Sequence, residues 1–359
     1  MESTSPSQPF FKTWWIIVLL LLMFIGALGI RLFDLTDLPN DFYMVRQYRG
    51  LVIARGMYSS ITSGVEDWKR EFAVDAWKKE SLIEPPLLEG LVALTYRFVG
   101  ERMWIGRVYA SLFWIIGGLG IWFLARDLGM RYGGLIALAY FLFLPFGIIA
   151  SRTMMPDPLM VALMIWSIWA LHRWGRMPSW GIAILAGLFT GAAILVKSVI
   201  VFPLLGAAAA LVLSRRPIKK IFRDGKMWLL IGLAVLPTAL YYLFGLFVDE
   251  SLRGQFSLRF FPDMLTDPSF YGKWLFLMAG ITGWAALFLS LSGFFLFPTR
   301  EIRFMFLGLW VGYLVYGLVF PYHFLTHEYY HLPLLAVIAV GLIPPGQVLF
   351  DQLGQHLVR

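Results

Sequence analysis

Cysteine is absent from the 359-residue chain. Disulfides, thiolate metal sites and cysteine nucleophiles are excluded with it, while the redox compartment stays open. Charge is scarce as well. Asp, Glu, Lys and Arg make up 14% of the residues, against roughly 25% in an ordinary soluble domain, so a water-soluble fold is excluded. Apolar residues fill the chain instead, at 59%, with 17% aromatic residues including 15 Trp. Aromatic belts of this kind sit at bilayer interfaces. The chain reads as an all-α integral membrane protein. Its net charge of +8 comes mostly from bases in short loops between apolar runs. That is a topological signal and gives no support to nucleic-acid binding.

The first apolar run, residues 14–30, lies between Lys12 and Arg31. Ala27-Leu28-Gly29 weakly resembles a signal-peptide cleavage site, but a multispan protein needs none, and an anchor is expected. Further runs near 108–125, 133–150, 156–171, 180–196, 199–213, 227–247, 274–297, 304–320 and 330–349 bring the expected bundle to ten spans. Residues 86–99 are also apolar, but short and interrupted by Glu89 and Arg97. They suit a helix lying on the membrane surface.

Orientation agrees with that choice. With the N-terminus in the cytoplasm, the inner loops carry Arg126, Arg131, Arg173, Arg176, Arg215, Arg216, Lys219, Lys220, Arg223, Lys226, Arg300 and Arg303. The short outer loops carry only Arg152, Lys197, Arg253, Arg259 and Lys273. Twelve bases against five is what the positive-inside rule expects, and it puts the long first loop, 31–107, outside. A single membrane domain over 1–359 is expected, with no separate soluble domain.

Acids and bases interleave in that first loop, which makes it the first place to look for chemistry. It offers Asp34, Asp37, Asp41, Arg46, Arg49, Arg55 and Glu84. The second outer loop, SRTMMPDP, adds Arg152 and Asp157. Lys197 ends the 180–196 run, and PYHFLTHEYYHLP adds His323, His327, Glu328, Tyr329, Tyr330 and His331. Carboxylates here can act as general bases or metal ligands, and bases can neutralise a phosphate. Plainer roles exist for each. Asp157 sits where a helix N-cap would, Lys197 could snorkel to the interface, and Asp34 and Asp37 read as solvated flank residues. The string His327-Glu328-Tyr329-Tyr330-His331 matches HExxH. Leu332-Pro333 follows at once, which argues against one continuous helix through both histidines.

The order of these pieces resembles the GT-C glycosyltransferases, in particular the bacterial family-39 branch related to protein O-mannosyltransferases and lipid A aminoarabinose transferases. Asp41 leads into Arg46-Gln47-Tyr48. Then follow EPPLLEGLVALTYRFVG, WIGRVYASLFWIIGGLGIWFLARDLG, ASRTMMPDPLMVALMIWSIWAL, GLFTGAAILVKSVIVFPLL and HEYYHLPLLAVIAVGL. The resemblance implies a GT-C-like bundle with surface helices in its long first outer loop. It also implies transfer of a sugar from a polyprenyl-phosphate donor, with inversion, at the periplasmic or extracellular face of a bacterial inner or plasma membrane.

In that reading Asp41 is the general base and Asp157 assists it or binds metal or substrate. Arg46, Tyr48, Glu84, Arg152, Lys197, His327 and Tyr330 bind substrate. The resemblance leaves room for a divalent ion (Mg or Mn), with Asp41, Glu84, Asp157 and His327 as candidate ligands. The acceptor, a protein, lipid or polysaccharide of the cell envelope, is left open, as is a partner membrane protein. Acceptor recognition is expected around 248–273. In this family the residue before Pro-Pro is commonly basic, whereas here it is Glu84. Two other readings remain: a non-catalytic GT-C-fold scaffold subunit, and a transporter of a lipid-linked substrate. Spans nearly free of charge, with no visible repeat, count against the transporter.

Overall fold

The computed structural model describes residues 13–80, 84–215, 223–250, 252–253 and 260–357. Lys12, Ile83, Arg216, Lys219, Lys220, Arg259 and part of the 248–273 loop lie outside the described residues. The described residues form sixteen α-helices linked by short turns. The first four are α1 (Thr13–Leu32), α2 (Met44–Ile61), α3 (Asp67–Lys79) and α4 (Leu87–Val99). Next come α5 (Trp104–Asp127), α6 (Arg131–Phe143), α7 (Pro145–Ser151), α8 (Asp157–Arg176), α9 (Trp180–Val196) and α10 (Val201–Arg215). The last six are α11 (Gly225–Phe247), α12 (Pro268–Thr282), α13 (Trp284–Leu296), α14 (Arg300–Val319), α15 (Pro321–Thr326) and α16 (Leu332–Leu357).

Among the described residues six segments are long and apolar enough to cross a membrane, and two bent helix pairs raise the number to eight. The expected ten spans are therefore not all present as single helices. Run 133–150 breaks between α6 and α7 with a 58° bend. Leu144 precedes Pro145 and is extended there, as a residue before proline tends to be. Run 274–297 breaks between α12 and α13 with a 96° bend at Gly283, whose φ of 82° suits glycine. Helix α9 is only 17 residues long. Helix α8 is less apolar, carrying three tryptophans, His172 and two arginines.

Helices α8 and α16 are the most enclosed. Helix α8 packs against α5 and α9, and α16 against α6, α13 and α14. Helices α10 and α14 form the most extensive pair. Their backbones meet because Gly206 faces Gly308, and Gly312 faces Phe202; a Cβ added at any of the three would fall on a backbone carbonyl oxygen. Gly308 and Gly312 stand four apart, as in the small-residue contacts of membrane helices. Gly308→Leu should cost at or above the roughly 1–3 kcal/mol of ordinary overpacking. The check is its unfolding midpoint in detergent against that of Gly232→Leu, where nothing lies within 4 Å. Equal midpoints would rule out the close approach.

Helix α4 has 13 residues, too few to span, and follows Pro85-Pro86. Leu88, Val92 and Tyr96 face the protein, while Leu91, Leu94 and Phe98 are exposed. A helix too short to span stands where one was expected over 86–99. The opposite end of α5 is tied down separately: Asp127 accepts from Trp169 and Arg173, at 3.0 and 2.8 Å.

Candidate functional site

The ends of α1, α5, α8, α9 and α16 gather under the first long segment. Two polar clusters form there. The inner one is centred on Asp157 and Lys197. Asp157 opens α8, but its carboxylate makes no cap hydrogen bond. Instead Lys197, where α9 ends and the chain turns extended, donates to Asp157 Oδ1 at 2.8 Å. Lys197 is 4% exposed and Asp157 1%, so neither the N-cap nor the snorkelling role applies. Two charges this deep are tolerated because they are paired. Asp157 Oδ2 is buried with no partner. The Lys197 ammonium also lies 4.6 Å from the ring centroid of Tyr329 and 5.1 Å from that of Tyr330. Such contacts hold the cation in place.

Helix α2 brings Arg46 beside this pair. Its guanidinium lies 5.9 Å from the Tyr329 ring centroid and 3.4 Å from Glu84 Oε1. Burial opposes charge on both partners. The Glu84, Tyr329 and Asp157 groups more than offset it at Arg46, whose proton is held more firmly than usual. Burial likewise pushes the Glu84 carboxyl up, but Arg46, Lys197 and Arg49 outweigh it and hold it below the usual carboxylate range. Arg49 pairs with Glu80 at 3.2 Å.

A cleft opens among these groups, lined by Arg46, Arg49, Glu84, Pro85, Pro86, Glu89 and Pro156 along with Gly50, Ile53 and Met154. Glu89 lines it beside Gly50, where a Cβ would crowd Met154 at 3.2 Å and touch Glu89 Oε1 at an ordinary 3.5 Å. Burial and the nearby Glu84 push the Glu89 carboxyl up to about 7.

The outer cluster holds Asp41. Arg107, buried on α5, donates to Asp41 Oδ1 at 2.8 Å and to the Asp37 carbonyl at 3.2 Å. Buried Gln47 donates to Asp41 and to the Phe42 carbonyl, and accepts from the Met154 backbone N–H. Arg152 donates to the Asp34 carbonyl at 3.2 Å. Asp41 is exposed and does not line the cleft. Asp34 and Asp37 are exposed as expected.

Tyr43 joins the first segment to the last motif. Its hydroxyl donates to the Glu328 carboxylate and accepts from the Glu328 backbone N–H, and its ring stacks on His327. His327 also shares a hydrogen bond with Thr326 at 2.8 Å. Burial and the Arg46 charge lower the basicity of its imidazole. Tyr48 donates to Asn40 on the exposed side. HEYYH is not a continuous helix: His327 ends α15 and Glu328–His331 is a 3₁₀ turn. His331 is buried between the Tyr313 hydroxyl and the Phe324 carbonyl. A zinc-protease arrangement is thereby excluded.

The structure thus brings Arg46, Glu84, Asp157, Lys197 and Tyr330 together, and sets Asp41, Tyr48, Arg152 and His327 around them. Among the described residues no three His, Asp or Glu side chains are placed to hold a metal ion. Of the four ligand candidates, Asp41, Glu84 and Asp157 are each paired with a cation. Gln47, Arg107, Tyr43 and Glu89 were not singled out from sequence. Gln47 lay inside the quoted Arg-Gln-Tyr string, and Glu89 read only as an interruption.

The family described as dolichyl-phosphate-mannose-protein mannosyltransferase matches residues 83–242. No curated protein matches the chain. Among solved structures the chain is similar to ArnT from Cupriavidus metallidurans bound to undecaprenyl phosphate. The TM-score is 0.67 at 18% identity, over 95% of this chain and 61% of that one. The apo state of the same protein gives 0.66 at 17%, over 95% and 60%. The chain therefore spans about three fifths of the length of ArnT. The family match over residues 83–242 and the shared fold make this multi-pass, all-helical membrane protein similar to the GT-C glycosyltransferases.

Proposed function

We propose that the chain is a membrane glycosyltransferase that moves a sugar from a polyprenyl-phosphate donor to an acceptor hydroxyl, with inversion, at the outer membrane face. The observation that carries this reading is the buried pairing of Lys197 with Asp157 beside Arg46 and Tyr329. When the bond from the anomeric carbon to the phosphate oxygen breaks, negative charge grows on the departing lipid phosphate. Cations held in a water-poor site stabilise that charge without reorganising. Lys197 and Arg46 take this role, with Asp157 and Glu84 fixing their directions. The exposed face of α4 guides the lipid tail while the sugar stays in the cleft. Asp41 acts through Arg107 and Gln47 as a positioning residue for the first segment. The distribution of loop bases supports an outer-facing site.

The test is release of labelled sugar from a panel of synthetic polyprenyl-phosphate sugars by the full chain in lipid nanodiscs, alongside binding of undecaprenyl phosphate. Turnover that falls at least about 100-fold in Arg46→Ala supports the reading, a loss typical of removing one charge-stabilising group. A folded wild type that neither turns over nor binds the lipid phosphate would leave the scaffold subunit as the better account.

A further inference from the structure

We propose that Glu89, which lines the cleft with Arg46 and Arg49, is the residue that takes the proton of the attacking hydroxyl. This rests on the transfer reading above and deepens it. An attacking alcohol or water must lose its proton to a group within hydrogen-bond reach. Four carboxylates stand near the cleft besides Glu89, and each is paired with a cation; Glu80 holds Arg49. Asp157 holds Lys197, Glu84 holds Arg46, and Asp41 is bound to Arg107 outside the lining. Glu89 lines the cleft, and no cation lies within ion-pair distance of it among the described residues.

The charged groups facing it are few. Helix α2 supplies Arg46 and Arg49, and the segment before α4 supplies Glu84. Helix α5 presents Tyr109, which is bonded to Thr95 farther along α4. The two cleft glutamates are therefore driven apart. Glu84 is kept ionised by three cations, while burial and the Glu84 charge raise Glu89 to about 7. A pair of carboxyls separated in this way divides acid–base work from electrostatic work. In the step itself, the acceptor O–H proton passes to a Glu89 carboxylate oxygen as the acceptor oxygen bonds to the anomeric carbon. The bond from that carbon to the phosphate oxygen breaks, and its electron pair leaves with the lipid phosphate. Glu89 then returns the proton to water.

The experiment measures release of labelled sugar, with water as acceptor, across pH for wild type, Glu89→Gln, Glu89→Asp and Asp41→Asn in nanodiscs. Undecaprenyl phosphate binding is measured in parallel. Wild-type turnover should rise through about pH 7. Glu89→Gln should lose about 100-fold or more in kcat, lose that rise, and bind undecaprenyl phosphate within about twofold of wild type. Glu89→Asp should regain part of the rate with the rise moved. If the wild type turns over and Glu89→Gln keeps the rise, or if Asp41→Asn alone removes it, the assignment is overturned and the transfer reading stands. A wild type that neither binds nor turns over overturns both.

Discussion

Lys197→Met is expected to abolish sugar release and to destabilise the protein by about 3–5 kcal/mol, the usual cost of leaving one member of a buried ion pair alone. Asp157 would then be a carboxyl group without its cation at 1% exposure, with one oxygen already unpartnered. The double variant Lys197→Met/Asp157→Asn removes both charges. Neutral replacement of a whole buried pair is often close to harmless for stability, so it should recover most of the lost unfolding midpoint. It should not recover transfer, because the cation that receives the lipid phosphate is still missing. The two readouts therefore separate. A single variant as stable as wild type would mean that the pair is less buried than 4% and 1% exposure imply. A double variant that regains transfer would reduce the pair to a structural bolt between α8 and α9.

The convergence of these residues was partly legible. Asp157 and Lys197 each stood at the end of an apolar run on the same predicted side, and the resemblance placed both at the site. Their mutual bond was not legible, since it joins residues 40 apart in sequence and each had a plausible solitary role. The same limit hid Tyr43, whose partner Glu328 lies 285 residues away. Asp41 stands out in sequence by its place in the motif order. Nothing local to the first loop indicated that Arg107, which opens the next span, would claim it. Sequence shows which charges are near water, but pairing is decided by helix packing.

Two of the expected spans are bent where hydropathy is blind to backbone geometry. The run 133–150 contains Pro145, a break that could have been read directly. The run 274–297 turns at Gly283 without any proline, and only its φ of 82° reveals why. Conversely, Gly308 and Gly312 carried a readable close-packing signal that composition alone passes over. The surface helix α4 was legible because it is short and because Glu89 interrupts it. That interrupting residue is now the one with the strongest claim on the acceptor's proton.

Glu89→Gln should also leave a signature in stability that a purely structural glutamate would not. An acid whose folded pKa is raised, here to about 7 from an ordinary 4.5, adds no penalty below the unfolded value, where both states are protonated. Between about 4.5 and 7 the unfolded chain gives up the proton and the folded one resists, so stability falls as pH rises. Above about 7 the full penalty applies, on the order of 3 kcal/mol for a shift of this size. Glutamine never ionises, so Glu89→Gln should match wild type near pH 4.5 and exceed it near about pH 8. Glu84→Gln should do the reverse. The Glu84 carboxyl is held low by its cations, so its stabilisation is present above about 4.5 and lost as pH falls through the lowered value. Unfolding midpoints of the two variants against wild type at both pH values test this directly. Gains of opposite sign at the higher pH would show that one cleft glutamate is held ionised for structure while the other is held near neutrality at a cost to the fold, the balance expected where activity and stability compete. A Glu89→Gln midpoint that stays below wild type at the higher pH would place Glu89 with Glu84 among the fixed charges and remove it from proton transfer.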